Sequence, residues 1–195
     1  MEHYSVVSEL FIYPDKEKLV RALSRMYDIL SERYPTAVSK LDEFNAFVKA
    51  NSNNFLKEYY IKTFDVMPFC YMDLGYVLFG EDYRRGEFLV NLLNEHVKAA
   101  NDCGKELSDH LPNMLKLLPK MADRQLAQEL MFSIMIPALK EMVKNFIDNE
   151  NVYKRLLEIL IVVMEDDSKG LEYPQIQILC NDKSNFLNKV CGKRC

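Results

Sequence analysis

Asp109 and His110 are the residues most suggestive of chemistry in this 195-residue chain, because a carboxylate beside an imidazole is how a base and its orienting group begin. Their adjacency argues against that use. Neighbouring side chains on a helix diverge by about 100° and cannot pair. At a helix entry both can line a groove, where free backbone N–H groups and the imidazole offer donors to a bound peptide. The plainer reading has Asp109 capping the helix and His110 packed against a loop, and the residues alone favour it. His96 falls on an apolar helical stripe and reads as a core histidine with its hydrogen bonds satisfied rather than as a ligand. Arg84 and Arg85 stand at a helix start, an unfavourable place for positive charge unless Glu81 or Asp82 answers it, so an ion-pair knot is expected ahead of an anion contact. The chain lacks a glycine loop for phosphate, a metal-ligand cluster and a nucleophile–base pattern. It is therefore read as a non-enzyme, with no catalytic residue and no cofactor.

Charge narrows the partners. The formal net charge is -4 and the pI about 5.5, which gives no general attraction to nucleic acid. Between Asp65 and Asp109 nine acidic residues face four basic ones in a stretch rich in Tyr and Phe. Such a surface suits a basic amphipathic segment, whose apolar side would lie against Tyr71, Leu74 and Leu78 while its Arg or Lys groups meet carboxylates at the rim. The alternative is a solvated acidic face. Several of the ten methionines fall at core spacing, and most read as packing.

Five scattered cysteines form no C-x-x-C pair, so neither a disulfide framework nor a zinc site is signalled; Cys191 and Cys195 are close enough to share a metal, but no histidine follows them. The first residues, Met1 to Glu9, lack the basic region and apolar run of an export signal. The longest apolar stretch, Leu156 to Met164, is interrupted by Glu158 and too short to span a bilayer. A cytoplasmic protein without direct membrane insertion is expected.

The elements that must position these residues are helical. Six glycines and seven prolines are few for an all-β chain, and 49% of residues are apolar, recurring at helical spacing. Asp15 opens a helix with Leu19, Val20, Leu23, Met26, Tyr27 and Leu30 on one face, stopped by Tyr34-Pro35. A second carries Val38, Leu41, Phe44, Phe47 and Val48 to a polar break at 51–54, and a third starts at Asn54 with Phe55, Leu56, Tyr59, Tyr60, Thr63 and Phe64. Pro68 should open a fourth from Phe69 to Phe79, closed by Gly80. The fifth, from Tyr83 to about Asn101, shows a buried stripe of Phe88, Leu89, Leu92, Leu93, His96, Val97 and Ala100, ended by Gly104.

Ser108 or Asp109 caps the next helix, with Leu111, Met114, Leu115 and Leu118. Asp123 caps a long helix reaching Phe146 and bent at Pro137, and the last runs from Val152 to Met164 with Tyr153, Leu156, Leu157, Leu160 and Ile161 inward. This gives an all-α, single-domain bundle of about seven to nine helices over residues 1–165. A flexible or loosely docked tail follows over 166–195; from Lys169 onward it carries five basic residues against two acidic.

Four strings, Lys57-Glu-Tyr-Tyr-Ile-Lys-Thr-Phe-Asp65, Tyr71 to Gly80, Asp82-Tyr-Arg-Arg-Gly86 and Glu106-Leu-Ser-Asp-His-Leu-Pro112, resemble in order and spacing the NarJ-like nitrate reductase assembly chaperones of the wider TorD family. Phe11-Ile-Tyr-Pro14 is similar to that family's opening. The likeness is close over Lys57 to Met121 and looser over Leu10 to Met164. Ser108 departs from it, since the family often has proline before the Asp-His pair. The resemblance implies a TorD/NarJ-like helical fold and a partner that is the N-terminal leader or the apo form of a molybdoenzyme catalytic subunit, held until its cofactor is inserted. Under it the peptide-binding residues are expected at Tyr59, Phe64, Tyr71, Leu74, Leu78, Arg84, Glu106, Asp109, His110 and Leu111. A monomer or a homodimer fits equally. A helical adaptor or regulatory domain without a molybdoenzyme client is the alternative.

Overall fold

Polar residues at the helix entries decide where the chain turns. Asp15 accepts from the backbone N–H of Lys18 at 3.0 Å, Ser52 from Phe55 at 3.3 Å, Asp82 from Arg84 at 2.9 Å, Asp123 from Leu126 at 2.9 Å and Asn151 from Tyr153 at 3.0 Å. The computed structural model describes residues 1–66, 70–146 and 150–173. Its helices are α1 (His3–Ser8), α2 (Lys16–Arg33), α3 (Val38–Ala50), α4 (Asn53–Phe64), α5 (Leu74–Phe79), α6 (Tyr83–Lys98), α7 (Leu111–Leu117), α8 (Arg124–Leu130), α9 (Ile136–Asn145) and α10 (Val152–Asp167). A 3₁₀ turn over Pro35–Ala37 joins α2 to α3, and a π turn over Met131–Met135 joins α8 to α9 without a break. Taking α8 to α9 as one rod, nine helices form the all-α body among the described residues. One continuous core runs through it: α10 packs on α3 and α9, α1 on α2 and α7, and α5 on α6 and α9.

Several boundaries differ from expectation, each for a physical reason. Helix α1 leaves little periodicity to read in six residues, yet it buries Tyr4 and Val7, and Leu10 and Phe11 follow it into the core. Ser52, not Asn54, caps α4. Helix α5 starts at Leu74, because Met72 and Leu74 are engaged in backbone bonds to residues 109–111; the expected start at Pro68 and Phe69 lies outside the described residues. Helix α6 ends at Lys98, where Ala100 turns the chain with φ +48°. Pro137 disturbs the long helix as a π turn over Met131–Met135, just ahead of it, since a residue without an N–H cannot continue the ladder to Ser133. The expected stripe of α6 is buried only at Phe88, Leu92 and His96; Leu89 is half-buried, and Leu93, Val97 and Ala100 are exposed. Val20 of α2 is also exposed.

Helix α10 passes the expected boundary at 165. The Asp167 carboxylate accepts from the Tyr4 hydroxyl at 2.9 Å and from the Tyr34 hydroxyl, with His3 Nε2 at 3.0 Å and Arg33 at 3.6 Å. The end of the last helix is thereby clasped to α1 and to the end of α2. Residues 174–195, with Cys180, Cys191 and Cys195, lie outside the described residues.

Candidate functional site, an aromatic and acidic groove

A short backbone cross-link builds the site. Leu74 donates its N–H to Asp109 O at 3.1 Å and Leu111 donates to Met72 O at 2.9 Å, so Asp73 and His110 lie side by side as an isolated antiparallel bridge. The Asp109 carboxylate then accepts from the N–H of Gly75 at 2.9 Å, satisfying a free donor in the first turn of α5 from 34 residues away. Glycine is required there, since a Cβ at position 75 would sit 2.7 Å from Asp109 Oδ2 and 3.0 Å from the Phe88 ring. Asp73 occupies the cap position of α5 but makes no cap bond. Its carboxylate binds His110 Nδ1 at 3.1 Å and Arg85 at 3.4 Å. Arg85 Nε is 3.9 Å from Asp109 Oδ2, an ion-pair distance. Burial, reinforced by the charge of Asp73, pushes the Asp109 carboxyl up to about 6, while Arg85 and the Gly75 N–H oppose the shift.

The segment that carries this motif is held from behind. His96 donates from Nε2 to Ser108 O at 2.9 Å and accepts at Nδ1 from the Asn101 amide at 2.9 Å, so both ring nitrogens are satisfied, as a core histidine requires. Burial lowers its basicity and keeps it neutral. Asn101 also donates to Asn113 O at 3.2 Å and accepts from Lys120 at 2.8 Å, while Asn113 donates to Cys103 O at 3.1 Å and to Leu107 O at 3.0 Å. Ser108 is buried and donates to Leu89 O at 3.0 Å. It pins the loop to α6 rather than capping α7, whose N-cap is His110 with no side-chain bond.

In front of this frame opens a groove of about 640 Å³, walled by Ile12, Tyr13, Tyr60, Phe64, Tyr71 and Met72 on its apolar side and by Asp65, Asp73, Glu106, His110, Asn113 and Lys116 on its polar side, with Cys103 and Pro112 between. Tyr60 anchors the wall by donating to Phe11 O at 3.0 Å, and its ring meets Phe64 at 5.1 Å and Tyr13 edge-on at 5.8 Å. Tyr13 and Tyr71 are about half exposed, available to a ligand. Three carboxylates against one lysine leave the polar side acidic.

No family model matches the chain. It is 28% identical over 165 residues, covering 84% of this chain and 88% of the relative, to the probable nitrate reductase molybdenum cofactor assembly chaperone NarJ of Bacillus subtilis strain 168. The chain is thus similar to a NarJ chaperone over most of the length of both. Among the described residues no helix is long and apolar enough to cross a membrane, and no group of three or more His, Cys, Asp or Glu could hold a metal ion.

The groove gathers four of the ten residues expected from the sequence: Phe64, Tyr71, Glu106 and His110. Leu74, Leu78 and Leu111 are in the core, where helix packing claims their apolar side chains. Tyr59 faces Phe47 at 4.7 Å and accepts from the Val152 N–H at 3.2 Å, bracing α4 against α3 and α10 instead of lining the groove. Arg84 pairs with Asp82 at 3.0 and 3.1 Å, which is the expected knot, and Glu81 stays exposed. Asp109 is fully buried beneath the groove and supports His110 and α5, so it cannot meet a ligand's charge at the rim. The residues missed are chiefly Ile12, Tyr13, Tyr60 and Lys116. An exposed Ile-Tyr pair ahead of a proline was the available signal for the first two; Tyr60 and Lys116 reach the groove only through folding.

Proposed function

We propose that this NarJ-like chain is an assembly chaperone for a molybdoenzyme of the nitrate reductase type. It binds the N-terminal leader of the catalytic subunit in the cytoplasm and holds the apo subunit until the molybdenum cofactor is inserted. The groove carries the reading. Its aromatic wall offers an apolar side chain of the leader a half-built pocket, and Asp65, Asp73 and Glu106 offer acceptors to Arg or Lys. A chaperone must also release its client, so an affinity on the order of micromolar, roughly -8 kcal/mol, fits the role. Binding and release require no catalytic group.

Calorimetric titration with synthetic N-terminal peptides of the molybdoenzyme catalytic subunits encoded in the same genome tests this. Saturable binding to one peptide is expected, weakened about tenfold by Tyr13→Ala. Asp65→Lys should weaken it more at low than at high salt. If the folded protein binds none of the peptides, the role of a helical adaptor without a molybdoenzyme client takes its place.

A further inference from the structure

Helix α6 presents two apolar faces, and only one of them is used. Phe88, Leu92 and His96 are buried in the body of the protein, whereas Val90, Leu93 and Val97 are 61%, 50% and 73% exposed. The exposed set recurs at spacings of three and four, and the same spacing continues backward through Gly86 and Tyr83, both exposed. That is the seam by which one helix receives another. The seam also has a wall: the loop 101–108 folds back beside α6, and between them runs a second groove of about 520 Å³ floored by Leu89, Val90, Leu93, Val97 and Leu107.

The rim decides what would lie there. Asp102 and Glu106 are the charged residues lining this groove, and both are acidic; Lys105 of the same loop is not among the lining residues, and Lys98 is paired with Glu95 at 2.7 Å. His96 at its base is held by two hydrogen bonds. A second copy of this surface would bring carboxylates against carboxylates, whereas a helix with basic flanks would complete them. We infer that the α6 face and the loop 101–108 form a second docking site, distinct from the first groove, that takes the apolar side of a basic amphipathic helix from another protein. Cys103 and Glu106 line both grooves, so the loop is a shared wall and two segments can lie on its opposite sides.

A dye-labelled synthetic helix of roughly 18 residues, built of leucine and lysine with the leucines on one face, probes the site by fluorescence anisotropy against the full chain, with the scrambled sequence as control. The amphipathic helix should bind at least about tenfold more tightly than the scrambled one, and Leu93→Asp and Val97→Asp should each weaken it about tenfold. Both positions are exposed, so the fold should survive, as circular dichroism would check. Asp102→Lys should weaken binding at low salt and less at high salt. Tyr13→Ala, in the other groove, should weaken it less than Leu93→Asp does. No preference for the amphipathic helix, or binding that survives Leu93→Asp and falls with Tyr13→Ala, overturns the assignment. So does light scattering that shows a concentration-dependent dimer broken by Leu93→Asp, which would give the face to a second copy of this chain.

Discussion

Two aspartates in this protein, Asp109 buried and Asp167 partly buried, meet opposite fates. At Asp167 burial pushes toward the neutral acid, yet the His3 imidazole 3.0 Å away and the hydrogen bonds of the Tyr34 and Tyr4 hydroxyls hold it well below the usual range. Asp109 is more deeply buried, has one backbone donor at 2.9 Å and an Oδ1 atom with no hydrogen-bond partner among the described residues, and sits near the like charge of Asp73. Burial prevails there, and the group titrates at about 6. The number of donors that reach a carboxylate, set against its depth, decides whether it is a clasp or a source of tension. The clasp closes the end of α10 onto α1 and α2 with residues that line neither groove; the tension lies at Asp109, next to His110.

The contrast can be tested at its strong end first. Asp167→Ala leaves two tyrosine hydroxyls, His3 and Arg33 without their common acceptor, and should cost about 3–5 kcal/mol in denaturant unfolding. A loss under 1 kcal/mol would mean that the clasp is ornamental. Because the folded carboxyl is depressed, this contribution is present above the ordinary aspartate range and disappears as the pH falls below about 4.

Asp109 has the reverse sign. Its folded value, about 6, lies above the ordinary 3.8, so between those values the folded state holds more protons than the unfolded one. Stability should therefore fall as pH rises from about 4 to 6, by up to about 3 kcal/mol. Asp109→Asn keeps the acceptor for Gly75 and removes the charge, so the slope should flatten and the variant should be at least as stable as the parent above pH 7. An undiminished slope would assign the titration to another group.

Smaller effects refine the picture. Tyr4→Phe removes one charge-assisted bond to Asp167 and should cost about 1.5–3 kcal/mol, with the acid midpoint moving to higher pH. Gly75→Ala forces a methyl against Asp109 and Phe88, costing about 1–3 kcal/mol and weakening peptide binding in the first groove through displacement of His110. If Gly75→Ala binds peptide normally, Asp109 and His110 are not mechanically linked.

Most of the fold was legible in the sequence, because helix caps and apolar spacing are local. Asp15, Asp123 and the Tyr34-Pro35 stop act where expected, and the inward faces of α3 and α10 largely match. The site was legible only in part. The string from Glu106 to Pro112 announced an important loop, but its residues divide by depth: Glu106 and His110 reach the groove, Ser108 and Asp109 brace it from behind, and Leu111 joins the core. Residues one apart in sequence point to different surroundings, and no spacing rule says which side is solvent. The outer face of α6 misled for the same reason, as an apolar stripe looks alike whether its own core or another protein covers it.

By itself the sequence determined an all-α chain, its acidic middle and the NarJ-like strings, all of which follow from short-range preferences and residue order. Only the tertiary structure decided that Tyr13 and Tyr60 share one groove with His110 and Asp73, and that Asp109 accepts from Gly75, in the first turn of a helix, 34 residues earlier. Those contacts join segments whose separation no local pattern encodes, and they exist because burying the core brings α1, α4, α5 and α7 together and leaves the remaining polar groups to find partners across the chain.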